Sequence, residues 1–257
     1  MLSLDHVGLV GPSIEALRSS WSARGFSVTE PEELMALDAA TGQRVSLGQR
    51  SCHIIFERGY IELTAVDAVT PKHHLHPWIC GPSTRGEVSL SIIAIGADDI
   101  EGVHARLAAG RLPVGAIAQA SRPIHYGARR GDALFRWFML DAASTPEALV
   151  CFVRNERPEL VFQPEVQRHP NGARALDSVI ICADEPRATA DRYAGYAGSV
   201  SVAAASGLFR CPLRDGVIWV GTAAALQEHF GHAVAHSPGD APRAVGFGVA
   251  PDRIYWV

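Results

Sequence analysis

Leu4-Asp5-His6-Val7-Gly8-Leu9-Val10 opens the chain as an apolar strand, and a helix-like stretch follows it. The same opening returns as Leu176-Asp177-Ser178-Val179-Ile180-Ile181-Cys182, again ahead of a helix-like stretch. A weaker copy lies between them, Val88-Ser89-Leu90-Ser91-Ile92-Ile93-Ala94-Ile95. With His6, Ser91 and Ser178 aligned, the three copies stand at nearly equal intervals. Such a period marks repeated supersecondary units, each unable to bury its apolar face alone. The aligned position changes from His to Ser to Ser, and of these only an imidazole is a good metal ligand or proton carrier.

Working outward, the order in each unit is β-α-β-β-β. The first unit spans 1–66. After its strand Leu4–Val10 comes a helix with Ile14, Leu17 and Trp21 on one stripe and Ser13 as its N-cap. Arg24-Gly25 ends that helix, Phe26–Thr29 reads as a strand, and the polar stretch Glu30–Arg50 reads as irregular. Cys52–Phe56 and Tyr60–Val66 form a hairpin about Arg58-Gly59. Residues 67–86, with three prolines and His73, His74, His76 and Trp78, read as a linker or flap.

The second unit, 87–156, has its strand at Val88–Ile95 and a helix burying Ile100, Val103 and Leu107. A short strand near Pro113–Ile117 and the runs Leu134–Leu140 and Leu149–Val153 complete it. Residues 157–174 form a second linker. The third unit, 175–257, has a helix opening at Pro186, strands Leu208–Leu213 and Val217–Val220, a helix-like Ala223–Phe230 and a last strand Ala244–Val249. The class is α+β, and the first two units are expected to curl their open sheets around one concave cleft, which covers their edges. A small-molecule ligand is expected there.

Composition narrows the function classes. The chain has 257 residues, 47% hydrophobic and 19% charged, with a net charge of −4. That balance gives no electrostatic case for nucleic acid or an anionic membrane. No apolar run approaches the roughly 18–20 residues that span a bilayer, and Asp5 and His6 interrupt any apolar leader, so a cytoplasmic location is expected. The five cysteines are odd in number and include no CxxC pair, which argues against a disulfide framework or structural zinc.

Leu4-Asp5-His6-Val7, Gly59-Tyr60-Ile61-Glu62-Leu63 and Arg168-His169-Pro170-Asn171-Gly172-Ala173 resemble the vicinal-oxygen-chelate superfamily, and within it the glyoxalase-like domain proteins. The resemblance implies a divalent metal (Fe, Mn, Ni or Zn) in the cleft, with His6 and Glu62 as ligands from the first and last strands of unit one. It implies a substrate that chelates the metal through two adjacent oxygens, and isomerase, lyase or dioxygenase chemistry. Related folds also sequester small molecules without a metal, often as homodimers. Unit two departs from the pattern: it offers Ser91 and Cys151, and has Asn155 where similar proteins often carry a His. These departures favour the metal-free binding alternative.

Glu62 stands in an otherwise apolar strand, where a carboxylate without a partner is costly, so it is a catalytic candidate if it faces the cleft. Arg136 lies among apolar residues and either faces solvent or enters the cleft to hold an anion. Trp137, on the opposite face, reads as core. His53 can point to either face. The His73, His74 and His76 cluster reads as polar linker ahead of a metal site. His125 with Arg129, Arg130 and Asp132 reads as a solvated turn ahead of an anion-binding rim. The segment around His169 reads as a structural turn.

Overall fold

The computed structural model describes residues 2–37, 41–84, 86–204, 207–236, 242–250 and 253–257. The first module comprises β1 (Ser3–Val10), α1 (Ile14–Ala23), β2 (Glu32–Leu37), β3 (Arg44–Ile55) and β4 (Tyr60–Val66). The Ser13 side chain accepts a hydrogen bond from the Ala16 N–H, and Ile14, Leu17 and Trp21 are the buried stripe of α1. Two expectations change here. Phe26–Thr29 forms no strand; Phe26 is buried in irregular backbone, its ring against Trp21 and Phe56. The stretch Glu30–Arg50 instead supplies β2 and much of β3. Its polar outer half is held by ladder bonds to its neighbours, so apolar alternation gives little sign of it.

Helix α2 (His76–Thr84) lies within the expected linker. The second module follows with β5 (Ser89–Gly96), α3 (Ile100–Ala109), β6 (Ala118–Ile124), β7 (Gly131–Met139) and β8 (Leu149–Asn155). The strand expected near Pro113–Ile117 reduces to one isolated bridge, Val114 to Leu140, and the ladder strand is β6.

The two modules close one eight-stranded barrel in the order β1-β4-β3-β2-β6-β7-β8-β5. They join twice, at the antiparallel pairs β1/β5 and β2/β6. Closure removes the sheet edges and turns alternate side chains inward. Gly8 makes the first junction possible: a Cβ there would stand 2.6 Å from the Ile92 side chain, which crosses over it. Leu75 and Ile79 at α2, and Leu160 and Val161 of the short helix α4 (Pro158–Val161), are buried in the same cluster as the inward barrel residues.

The third module comprises β9 (Ser178–Cys182), α5 (Pro186–Ala197), β10 (Val202–Ala203), β11 (Phe209–Leu213), β12 (Gly216–Gly221), α6 (Ala223–Phe230), β13 (Arg243–Ala250) and β14 (Arg253–Trp256). They form a six-stranded sheet in the order β10-β11-β12-β9-β13-β14. One face joins the main core through Val179, Ile181, Ile218, Val220 and Phe247, alongside Trp21 of α1 and Tyr193 of α5. The other face, with Ile180, Cys182 and Val245, packs with Ala225 and Leu226 of α6. Cys52, Cys151, Cys182 and Cys211 are buried free thiols, and Cys80 is exposed. Among the described residues no helix is long and apolar enough to cross a membrane.

Candidate active site

The barrel encloses a cavity of about 90 Å³. Alternation along three strands of the first half-barrel brings polar groups to it: His6 from β1, Gln49 and His53 from β3, and Tyr60 and Glu62 from β4. The second half-barrel contributes Ile92, Leu149, Cys151 and Val153, an apolar wall, together with Arg122, Phe135 and Trp137.

Glu62 is 7% exposed. Its Oε1 accepts hydrogen bonds from the Ser51 hydroxyl at 2.7 Å, the Thr64 hydroxyl at 3.1 Å and the Gln49 amide at 3.5 Å. Its Oε2 lies 3.6 Å from His6 Nε2. His6, 6% exposed, places Nδ1 2.7 Å from Asp5 Oδ1. A proton donated from Nδ1 to Asp5 leaves Nε2 as the edge that faces Glu62. The imidazole also stacks on Tyr60, with ring centroids 4.4 Å apart. Asp5, His6 and Glu62 are thus a chain of titratable groups whose free end is in the cavity.

The surrounding groups are held neutral. Burial first, and then the neighbouring Arg122 and His6, keep His53 well below the usual histidine range. Burial and the Asp5 carboxylate push the Tyr60 phenol well up. Burial, then Asp5 and Glu62, raise the Cys151 thiol. His74, drawn to the cavity beside Trp137, is pushed down to about 4 by burial and by His73.

A family described as a glyoxalase-like domain matches residues 4–197, from β1 through α5. The chain belongs to the glyoxalase-like domain family. Its fold is the vicinal-oxygen-chelate fold of that family, here with the barrel closed by two modules and a third module packed beside it. A Staphylococcus aureus hypothetical protein is similar at 14% identity and a TM-score of 0.63, over 86% of each chain. Methylmalonyl-CoA epimerase from Mycobacterium tuberculosis is similar at 17% identity and a TM-score of 0.41, over 59% of this chain and 86% of the epimerase. The Streptomyces coelicolor methylmalonyl-CoA epimerase bound to 2-nitronate-propionyl-CoA gives 17% identity and a TM-score of 0.37, over 60% of this chain and 96% of that one. No curated protein matches the chain.

Glyoxalase-like proteins are expected to hold a divalent metal, and the donor set tests that expectation. His6 Nε2 and Glu62 Oε2 are two donors on the first half-barrel. The second half-barrel faces them with Ile92, Leu149 and a single thiol, Cys151. Gln49 adds at most a neutral amide oxygen. Among the described residues, no group of three or more His, Cys, Asp or Glu side chains is arranged to hold a metal ion. Catalytic sites of the zinc type use three protein ligands, so these residues do not fit a resident catalytic metal.

The structure brings His6 and Glu62 together and keeps Arg136 apart. Arg136 points outward from β7 and ion-pairs with Glu101 of α3. The inward neighbour on β7 is Trp137, which the sequence reading assigned to core. Ser91 does not line the cavity; its hydroxyl meets Ser89 at 2.7 Å, and Ile92 is the inward residue. Asn155, at the end of β8, caps the following turn by accepting from the Arg157 N–H. His125 pairs with Glu32 at the surface. His169 is a structural pin, accepting from the Ser27 N–H and donating to the Ile55 carbonyl. Gln49 and Arg122 escaped the sequence reading. The signal for Arg122 was the alternation Ala120, Arg122, Ile124, all three buried.

Proposed function

We propose that the barrel cavity is the active site of an enzyme that moves a proton to or from carbon in a small organic molecule. Glu62 is the base, and His6 is its proton-holding partner. This is isomerase or lyase chemistry. The observation that carries the reading is the asymmetry at Glu62. Three donors hold Oε1, while Oε2 is turned toward His6 and the cavity. A base must be fixed in reach of the proton it takes, and these bonds fix this carboxylate. Asp5 orients His6, so a proton taken by Glu62 can be carried at Nε2 and returned to a different face or atom of the substrate.

This reading departs from the chelate mechanism, because the second half-barrel supplies Ile92, Leu149 and one thiol, Cys151, where further ligands are needed. A second reading, sequestration of a small molecule without chemistry, is favoured by that same apolar wall.

The test is hydrogen–deuterium exchange at carbon. The protein is incubated in D2O with 2-oxo acids, 3-oxo acids and their esters, and exchange is followed by proton NMR. The proposal expects catalysed exchange that is indifferent to EDTA and falls about 100-fold or more in Glu62→Gln, the scale of general acid–base catalysis. Exchange that survives Glu62→Gln, or its absence across the panel, overturns the proposal. About one equivalent of Fe, Mn, Ni or Zn in the purified protein, lost in both His6→Ala and Glu62→Ala, would overturn it in favour of the chelate mechanism.

A further inference from the structure

We infer that the cavity takes a small organic monoanion, a carboxylic acid with a short apolar body, through the guanidinium of Arg122. The inference rests on the barrel cavity being the ligand site, as proposed above, and adds the chemical class of the ligand.

Arg122 lies on β6, lines the cavity and is 3% exposed. Neither Nη1 nor Nη2 has a hydrogen-bond partner among the described residues. The nearby acids are engaged elsewhere: Glu62 with Ser51, Thr64 and His6, Glu32 with His125, and Asp132 with Arg44. The rings of Tyr126 and Phe135 stand 5.9 and 5.8 Å from the guanidinium carbon. They soften the burial of the cation. A lysine in this position could shed its proton, but a guanidinium stays charged. Among the described residues its two terminal nitrogens therefore have donors without an acceptor, which an anion entering the cavity would supply.

The shape of the site selects among anions. A guanidinium fork matches the two oxygens of a carboxylate. Arg122 is joined in the cavity by the Glu62 carboxylate, so a phosphate dianion would arrive with excess negative charge in a buried space. Trp137 adds a buried indole N–H that also has no partner among the described residues, suited to a second oxygen on the ligand. Ile92, Leu149 and Val153 supply an apolar wall for its carbon skeleton. At about 90 Å³ the cavity is smaller than the roughly 150 Å³ that admits benzene, which limits the enclosed part to a few carbons.

The test measures binding of 2-oxobutyrate, butyrate, butyramide and inorganic phosphate at millimolar concentration, in HEPES free of other carboxylates. Calorimetry and thermal shift give the readouts. The two acids should bind wild type, while butyramide and phosphate should not. Arg122→Met should weaken the acids at least about 20-fold, and Arg122→Lys should fall between, with circular dichroism showing both variants folded. Glu62→Gln should keep acid binding. Failure of both acids to bind wild type, equal binding of phosphate, or unchanged acid affinity in Arg122→Met overturns the inference. Binding that needs Arg122, without exchange that needs Glu62, upholds the anion site and sinks the proton-transfer reading. Exchange that needs Glu62, with binding indifferent to Arg122, does the reverse.

Discussion

Replacing Arg122 with Met should make the ligand-free protein more stable, the opposite of an ordinary core substitution. The side chain is 3% exposed and both of its terminal nitrogens lack a hydrogen-bond partner among the described residues. Burying an ion without a partner costs several kcal/mol after relaxation. Against this stand the ring faces of Tyr126 and Phe135, each worth about 0.5–1 kcal/mol. Methionine is close to the arginine stem in length and flexible enough to fill its path, so little packing is lost. The balance favours Arg122→Met by about 1–3 kcal/mol. At about 2–4 °C per kcal/mol for a chain near this size, the midpoint should rise by about 2–12 °C. Differential scanning calorimetry in carboxylate-free buffer reads this directly. Leu149→Ala is the control, because deleting a buried apolar side chain should cost about 2–5 kcal/mol. Saturating acid should erase the advantage of Arg122→Met, since ligand then stabilises only the wild type. A fall in midpoint for ligand-free Arg122→Met would show that the guanidinium is compensated in the folded chain and refute this reasoning.

Three further outcomes follow from the same geometry. Ile92→His combined with Cys151→Glu should create a divalent-metal site, because those inward positions face His6 and Glu62; about one equivalent of Zn by elemental analysis, lost on adding His6→Ala, is expected, and a metal-free double variant would show the two half-sites do not converge. Stability should fall in acid: His53 and His74 have folded values below 6.5, so the unfolded chain takes up their protons first, and stability drops from about pH 6.5 until the folded values are passed, near 4 for His74. Each such group can contribute up to about 1.4 kcal/mol per pH unit, and urea midpoints that do not differ between pH 7.5 and 5 would contradict this. His169→Ala should cost about 2–3 kcal/mol, because it strips partners from the buried Ile55 carbonyl and the Ser27 N–H, and a loss under about 1 kcal/mol would mean water replaces both bonds.

The α+β class and the pairing of two modules around a cleft were legible because three apolar strand openings repeat, and β5 is buried almost without interruption. That strand hid the register. Every residue of β5 from Leu90 to Gly96 is buried, on both faces, so alternation carries no mark of which face looks inward. Aligning His6 with Ser91 by polarity therefore slipped the second module by one position, and a one-residue slip exchanges the two faces of a strand. In the barrel, Gly8 pairs with Ile92 and His6 with Ala94, and the inward residue is Ile92. Parallel pairing carries the correction across: His6 and Glu62 sit on β1 and β4, and Ile92 and Cys151 sit on β5 and β8 in the corresponding places.

The polar half of the cavity was half-legible for a different reason. Glu62 declares itself because a carboxylate in the run Tyr60–Val66 needs an explanation. Arg122 does not, because Ala118–Ile124 contains one β-branched residue and a proline, and proline argues against an interior strand. Pro123 is tolerated here opposite Asp132, near the end of the β6/β7 ladder, and it leaves Arg122 pointing inward. Arg136 looked the better anion holder because its neighbours are apolar. The pleat decides otherwise: Phe135 and Trp137 flank it on the inward face, so Arg136 must turn out to Glu101. Which arginine reaches the cavity is thus a question of phase along a strand. Composition cannot answer it, and barrel closure fixes it for every strand at once.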